Sequence, residues 1–401
     1  MLHQPRGAFM HRCLSLVSAT ALIAAASLPS TATAMEWSND DVSVRLSLFM
    51  QPRLESGIYV RDRDGEQADL SGETTDDPQW ADASFRRLRL TMRGAYQEDT
   101  RFNLVLSADR LGEHRSSRDD DDNLIFQAND GGNIGVLYAW VSHRWQRDTH
   151  THTLKFGKDF ALFNPSQSDS SARMLFASNR PTAVFSSDNT LGLSYRWQMP
   201  AITIAADVHN PRNDSRNVFA SARVETSIRP EWSMGRSESR LGAEGFGHIL
   251  GLSLGLRSDN HSDDDGYIHA GIDYNVHYGP ITANVDAIIR RVEANGPKNA
   301  GSSATNQWGI NLQAGYAMPR DNGHIIEPAL RFAAFDMGHS LAPDMSDAAF
   351  ESVDSGVQGE IGCNYYLNGH NHKIHIGVSH WQANRGDAEK TVLRIQHQLL
   401  F

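Results

Sequence analysis

Leu250-Gly251-Leu252-Ser253-Leu254-Gly255-Leu256-Arg257 decides the fold. Four leucines stand at every second position, and glycine, serine and arginine fill the gaps. Successive side chains of a strand point to opposite faces, so this segment has one apolar and one polar face. The same period recurs in both directions along the chain. Trp308, Ile310, Leu312 and Ala314 oppose Gly309, Asn311, Gln313 and Gly315; Leu88, Leu90 and Met92 oppose Arg87, Arg89, Thr91 and Arg93; Val42, Val44, Leu46 and Leu48 oppose Ser43, Arg45 and Ser47. About sixteen such segments follow one another, near 42–51, 85–96, 101–110, 135–145, 152–159, 190–198, 201–209 and 217–226, then 248–258, 266–277, 281–291, 306–317, 325–336, 355–366, 373–381 and 390–401.

Soluble β-sandwiches also alternate, and four features separate the cases. Many segments reach the roughly 9–11 residues that a tilted membrane strand needs. The connections alternate in length: 61–84, 111–134 and 160–189 are long, whereas 97–100, 146–151 and 199–200 are short. That is the alternation of external loops and periplasmic turns in an outer-membrane barrel. Tyr96, Phe102, Trp145, Tyr195, Trp197 and Tyr316 gather beside the short turns on the apolar face, as an interfacial girdle would. The polar faces carry Gly, Asn, Arg and Asp, which a dry core could not satisfy but a watery lumen could. The expected fold is all-β, a transmembrane antiparallel β-barrel of about sixteen strands. The stretch 217–247 fits worst, because its periplasmic turn is too long.

The ends agree with export. Arg6 and Arg12 precede the 13-residue apolar run Leu14 to Ala26, and Ala32-Thr33-Ala34 offers a signal-peptidase site. Residues 1–34 read as a signal peptide cleaved after Ala34, and 35–401 as a single barrel domain in the bacterial outer membrane. The chain closes on a strand ending in Phe401, with Leu393, Ile395 and Leu399 on one face and His397 interrupting it. Cleavage takes two arginines and no acid, so the net charge moves from −11 to −13. That charge argues against nucleic acid as a partner. Cys363 is the one cysteine left, read as a small apolar residue on a strand face.

The polar faces hold the candidate chemistry. Parity sends Arg45, Arg87, Arg89, Arg93 and Arg394 to the lumen on three strands that become neighbours once the barrel closes. Guanidinium groups stay charged and present planar donors to oxyanions, so an arginine ladder can select anions. Equally, those arginines could pair with lumen acids such as Glu55 or Asp109 and only stabilise the wall. The long 160–189 connection is the candidate constriction loop, with Arg173 and Arg180 meeting the ladder and Asp159 and Asp169 as counter-charges. His150, His152, His370, His372 and His375 lack a recognisable ligand set, and Asp119 to Asp122 reads as a solvated loop, so no metal or other cofactor is expected. No nucleophile elbow, zinc-protease, P-loop or dinucleotide motif occurs, and no enzyme activity is expected.

Several of these segments resemble the phosphate-selective porin (porin O and P) family. They are Phe85-Arg86-Arg87-Leu88-Arg89-Leu90 with Gly94 and Phe102, Leu154-Lys155-Phe156-Gly157-Lys158 with the loop reaching Arg180, Glu327-Pro328-Ala329-Leu330-Arg331-Phe332, and Val392-Leu393-Arg394-Ile395-Gln396. The resemblance implies a sixteen-stranded, homotrimeric porin passing small anions such as phosphate, with Lys155 and Arg331 added to the pore lining. Lipid and lipopolysaccharide would surround it. The family's phosphate-selective members are lysine-rich around the pore, whereas this chain has 5 lysines against 32 arginines, with acidic stretches at Asp119–Asp122 and Asp263–Asp265. A general or cation-preferring porin therefore stands as the alternative, and a plugged-barrel receptor or adhesin as a reading of another class.

Overall fold

The computed structural model describes residues 34–60, 79–112, 114–118, 124–128, 134–164, 171–185, 189–210, 218–258, 266–293, 305–336, 355–384 and 389–401. Among them sixteen long strands run antiparallel in chain order: β1 (Val42–Val60), β2 (Gln79–Tyr96), β3 (Thr100–Ser107), β4 (Gly135–Arg147), β5 (His150–Phe160), β6 (Asn189–Gln198), β7 (Ile202–His209) and β8 (Phe219–Thr226). They continue as β9 (Phe246–Arg257), β10 (Gly266–Tyr278), β11 (Ile281–Glu293), β12 (Thr305–Tyr316), β13 (Ile325–Asp336), β14 (Gly356–Asn368), β15 (His372–Ala383) and β16 (Glu389–Leu400). Each pairs with the next, and β16 pairs with β1, setting Arg394 opposite Glu55 and Leu400 opposite Phe49. Phe401 completes the seam: its N–H donates to the Leu48 carbonyl at 3.0 Å and its carbonyl accepts from Leu48 N–H at 3.2 Å. Closure leaves no sheet edge along the seam.

The deciding segment shows how the wall is solvated. Leu252, Leu254 and Leu256 on β9 are 51%, 62% and 51% exposed, while Ser253 between them is 4% exposed. Apolar residues face out and polar residues face in, the inverse of a water-soluble core and the arrangement that hydrocarbon requires. Cys363 lies exposed on this outer face. Tyr96, Tyr195 and Tyr316 ring the short-turn end.

Three features depart from the sequence reading. β1 and β2 run well past 51 and before 85. Pro52, which suggests a strand end, sits instead at a bulge where the β1–β2 register shifts, and a bulge tolerates a missing donor. A small hairpin of its own, His114–Arg118 with Leu124–Ala128, occupies the second long connection. The connection 227–245 is no turn, because its second half enters the barrel.

The lumen is also drier than a polar inner face suggests. The third long connection, here called loop 3, folds inward in its described parts, 161–164 and 171–185, and its Phe163, Leu175, Phe176 and Phe185 are all at most 2% exposed. Phe163 and Phe185 pack with Phe219, Ile288, Phe335 and Trp381 near the long-loop end; Leu175 and Phe176 pack on Ala329 deeper in. Burying four such side chains contributes about 1.5–3 kcal/mol each. Inner-face glycines make the seats. A Cβ on Gly309 would stand 2.6 Å from the Phe185 ring, and one on Gly315 2.7 Å from Leu175. Gly309→Val should therefore cost about 1–3 kcal/mol and lift Phe185 off the wall. Urea unfolding followed by tryptophan fluorescence checks the first, and an altered single-channel conductance the second; a variant matching wild type in both would mean that loop 3 does not need this seat.

Candidate functional site

Loop 3 divides the inner surface. Its described parts lie against the wall from β7 to β16 and reach across to Arg87 on β2. The side chains that clamp it are polar and deeply buried. Arg331 on β13 donates Nη1 to the Ser178 hydroxyl at 2.7 Å, the Asn179 carbonyl at 3.1 Å and Glu360 at 3.0 Å, and sits 4.4 Å from the centre of the Phe176 ring. Asn364 and Lys373 donate to the Leu175 and Met174 carbonyls at 2.9 and 2.6 Å. Arg180, on loop 3 itself, donates Nε to Glu238 at 2.7 Å and pairs with Asp286 at 3.4 Å. A loop crossing a barrel carries unpaired carbonyls, and these donors satisfy them.

That arrangement corrects two expectations. Arg331 does not line a pore: its side chain is fully covered, because loop 3 lies on top of it. Arg180 does not meet the β2 arginines, since it points at the opposite wall, where Glu238 and Asp286 hold it. The loop residues that reach Arg87 are Asn179, whose Oδ1 accepts from Nη2 at 3.1 Å, and Met174, whose Sδ lies 3.9 Å from the same nitrogen. Arg173 is exposed, and its carbonyl accepts from Ser239 N–H at 3.2 Å. Asp169 lies outside the described residues, as do Asp119–Asp122 and Asp263–Asp265.

The remaining predicted cations share the barrel's inner face but differ in pairing. Arg87 is buried and bonds Gln51 at 2.8 Å. Arg89 pairs with Asp109, Lys155 with Asp159, and Arg394 with Glu55 at 2.5 Å; Arg53 joins Glu55 at 3.2 Å. Asp159 is thus the partner of Lys155 rather than a counter-charge for loop 3. Arg45 and Arg93 face each other directly across β1 and β2. Arg101, Arg144 and Arg196 continue their row on β3, β4 and β6, the last two flanking Thr153 of β5. Each of the five lies within three residues of its strand's short-turn end. Among the described residues none of them makes an ion pair within 4.0 Å, although Glu36 of the short strand Met35–Ser38 stands opposite Arg45 in the ladder. Two arginines directly opposite in a ladder repel and destabilise it, a cost that a stability role does not explain.

A family model described as phosphate-selective porin O and P matches residues 63–317. The chain belongs to that family. Its fold is similar to the outer membrane channel DcaP of Acinetobacter baumannii at 11% identity, covering 91% of this chain and 99% of that one, with a TM-score of 0.53. An anion-selective porin from Comamonas acidovorans, at 9% identity, covers 90% and 100% with a TM-score of 0.53. OmpF of Salmonella typhi, at 11% identity, covers 91% and 100% with a TM-score of 0.52. No curated protein matches the chain in sequence. It is an outer-membrane porin, with its short turns on the periplasmic side.

Sequence reading missed several residues of the porin's inner wall. Arg86 interacts electrostatically with Arg87, Arg53, Arg110 and Asp109, although strict parity sends it outward. The bulge beside Pro52 adds one residue to β2, and adjacent arginines then share a face. Arg101, Arg144 and Arg196 were available from parity, but each is the lone arginine on the polar face of its strand and lacks the signal that the β2 cluster gave. The histidines divide between faces. His375 bonds Asn364 inside at 3.0 Å, whereas His372 meets His397 outside at 2.9 Å. His152 stacks between Trp145 and Trp197 and hydrogen-bonds the Tyr195 hydroxyl through Nδ1 at 2.7 Å, placing it in the aromatic girdle. Among the described residues no three His, Cys, Asp or Glu side chains converge as metal ligands.

Proposed function

We propose that this porin passes small solutes by diffusion and favours anions, phosphate and other oxyanions included. The observation that carries the reading is the arginine crescent on the inner face at the periplasmic mouth, Arg45, Arg93, Arg101, Arg144 and Arg196, none of which is ion-paired among the described residues, with Glu36 opposite Arg45 as the one carboxylate set against the row by strand register. Arg86, Arg87 and Arg89 continue the positive wall from that mouth toward loop 3. Guanidinium forks suit phosphate and carboxylate oxygens, and their number spreads the binding over many weak contacts, which lets an ion leave as readily as it enters. The chain acts as a homotrimer among lipopolysaccharide and lipid, after a signal peptide is removed at Ala34.

One observation favours a second reading, a general or cation-preferring pore. Further from the mouth three cations of the wall are compensated, with Arg89, Arg394 and Lys155 each holding a carboxylate. The zero-current potential of refolded protein in a planar bilayer under a KCl gradient decides between them. A chloride-favouring potential, with current reduced by added phosphate, is the expected result. A potassium-favouring potential would overturn the anion reading and leave a porin whose acidic groups dominate.

A further inference from the structure

The connection 227–245 is the one periplasmic segment with no reason to be long if it merely joins two strands. The turns after β4 and β10 need two residues and those after β2, β6 and β14 three; this connection takes nineteen. Its first half stays at the rim, where Trp232 packs edge-on against Phe246 at 5.2 Å and Arg229 lies over the indole at 4.7 Å. Its second half turns into the lumen. Ser237, Glu238 and Ser239 are 4%, 1% and 1% exposed, deeper than any turn residue needs to be.

Wall strands anchor this half on one side. Arg236 bridges Glu225 of β8 at 2.7 Å and Asp273 of β10 at 2.5 Å. The Ser237 carbonyl accepts from Asn275 of β10 at 2.9 Å, and the Ser239 hydroxyl donates to Glu327 of β13 at 2.8 Å. On the other side it grips loop 3. Glu238 Oε2 accepts from Leu175 N–H at 2.8 Å, and Oε1 accepts from Arg180 Nε at 2.7 Å. One carboxylate thereby ties two points of loop 3, with a third tie from Ser239 N–H to the Arg173 carbonyl. Burial pushes the Glu238 carboxyl up, and Arg180, Arg331 and the Leu175 N–H together bring it below the ordinary range.

We propose that 227–245 is a brace built from the periplasmic side that fixes loop 3 against the β7–β16 wall and so sets the open cross-section of the pore, with Glu238 as its positioning residue. The proposal rests on the channel reading and is independent of anion preference. Wall side chains hold the carbonyls at the middle of loop 3, through Arg331, Asn364 and Lys373; the brace adds the hold on the Leu175 N–H and the Arg180 guanidinium, where a moving loop would narrow the passage. Glu238 itself touches no solute.

Glu238→Gln tests this. The amide keeps the shape and one acceptor but removes the charge that Arg180 faces. In planar bilayers at low voltage the variant should show brief closures about tenfold more often than wild type, as expected when a charged buried hydrogen bond is lost. Its migration on unheated gels should still be that of a folded barrel. Ser239→Ala removes the tie to Glu327 while leaving every charge in place, and should raise closure frequency by a smaller factor; it serves as the test should Glu238→Gln fail to fold. A folded variant with wild-type closure frequency and conductance would overturn the brace and leave 227–245 as filling. Absence of current from the wild type itself would instead strike the channel reading.

Discussion

Arg331→Met should lower barrel stability by about 3–5 kcal/mol, the cost of removing one partner from a buried ion pair. Glu360 is 3% exposed, and Arg331 is the cation bonded to it at 3.0 Å. Methionine fills similar space but leaves that carboxylate without a countercharge, and the carbonyls of Ser178 and Asn179 without their donor. Urea unfolding of the refolded protein, read by tryptophan fluorescence, measures the loss. The double variant Arg331→Met with Glu360→Gln should recover much of the stability, because no net charge is then buried alone. It should not recover wild-type channel behaviour, since the loop carbonyls still lack the guanidinium. An unchanged midpoint in the single variant would mean that water reaches Glu360 and that loop 3 does not seal this wall.

The second large effect concerns selectivity. Changing Arg45, Arg93, Arg101, Arg144 and Arg196 together to glutamine should cut the chloride-to-potassium permeability ratio about tenfold at 0.1 M salt. Each exposed charge acts on a passing ion through water by a few tenths of a kcal/mol, and five on one rim sum to roughly 1–1.5 kcal/mol. The effect should shrink at 1 M salt, where the screening length falls to about 3 Å. Folding should survive, because none of the five anchors a carboxylate among the described residues, and removing the Arg45–Arg93 repulsion relieves the ladder. Two independent readouts, the potential and its salt dependence, separate a mouth effect from a constriction effect. An unchanged ratio at low salt would move selection to Arg86, Arg87 and Arg89 beside loop 3.

Sequence by itself determined the wall. Period-two alternation is a local property of a strand, so Leu250 to Leu256 and fifteen comparable segments could be placed without knowing their neighbours, and alternating connection lengths gave their direction. Parity likewise put Arg45, Arg87, Arg89, Arg93 and Arg394 on the polar face. Which of those arginines is free was decided only in three dimensions. Glu55 lies 339 residues from Arg394, yet barrel closure makes them cross-strand partners. A bulge of one residue turned Arg86 inward, against the parity that holds on either side of it. The lumen contents were the least legible. Loop 3 and 227–245 carry no periodicity, and their positions follow from long-range pairing: Leu175 and Arg180 with Glu238, Ser178 with Arg331, Phe185 with Gly309. An arginine on the polar face of a strand looks the same in sequence whether water or a folded-in loop lies over it. Only the tertiary structure, by choosing the wall that loop 3 covers, separated the buried clamp of Arg331 and Arg180 from the open crescent at the mouth.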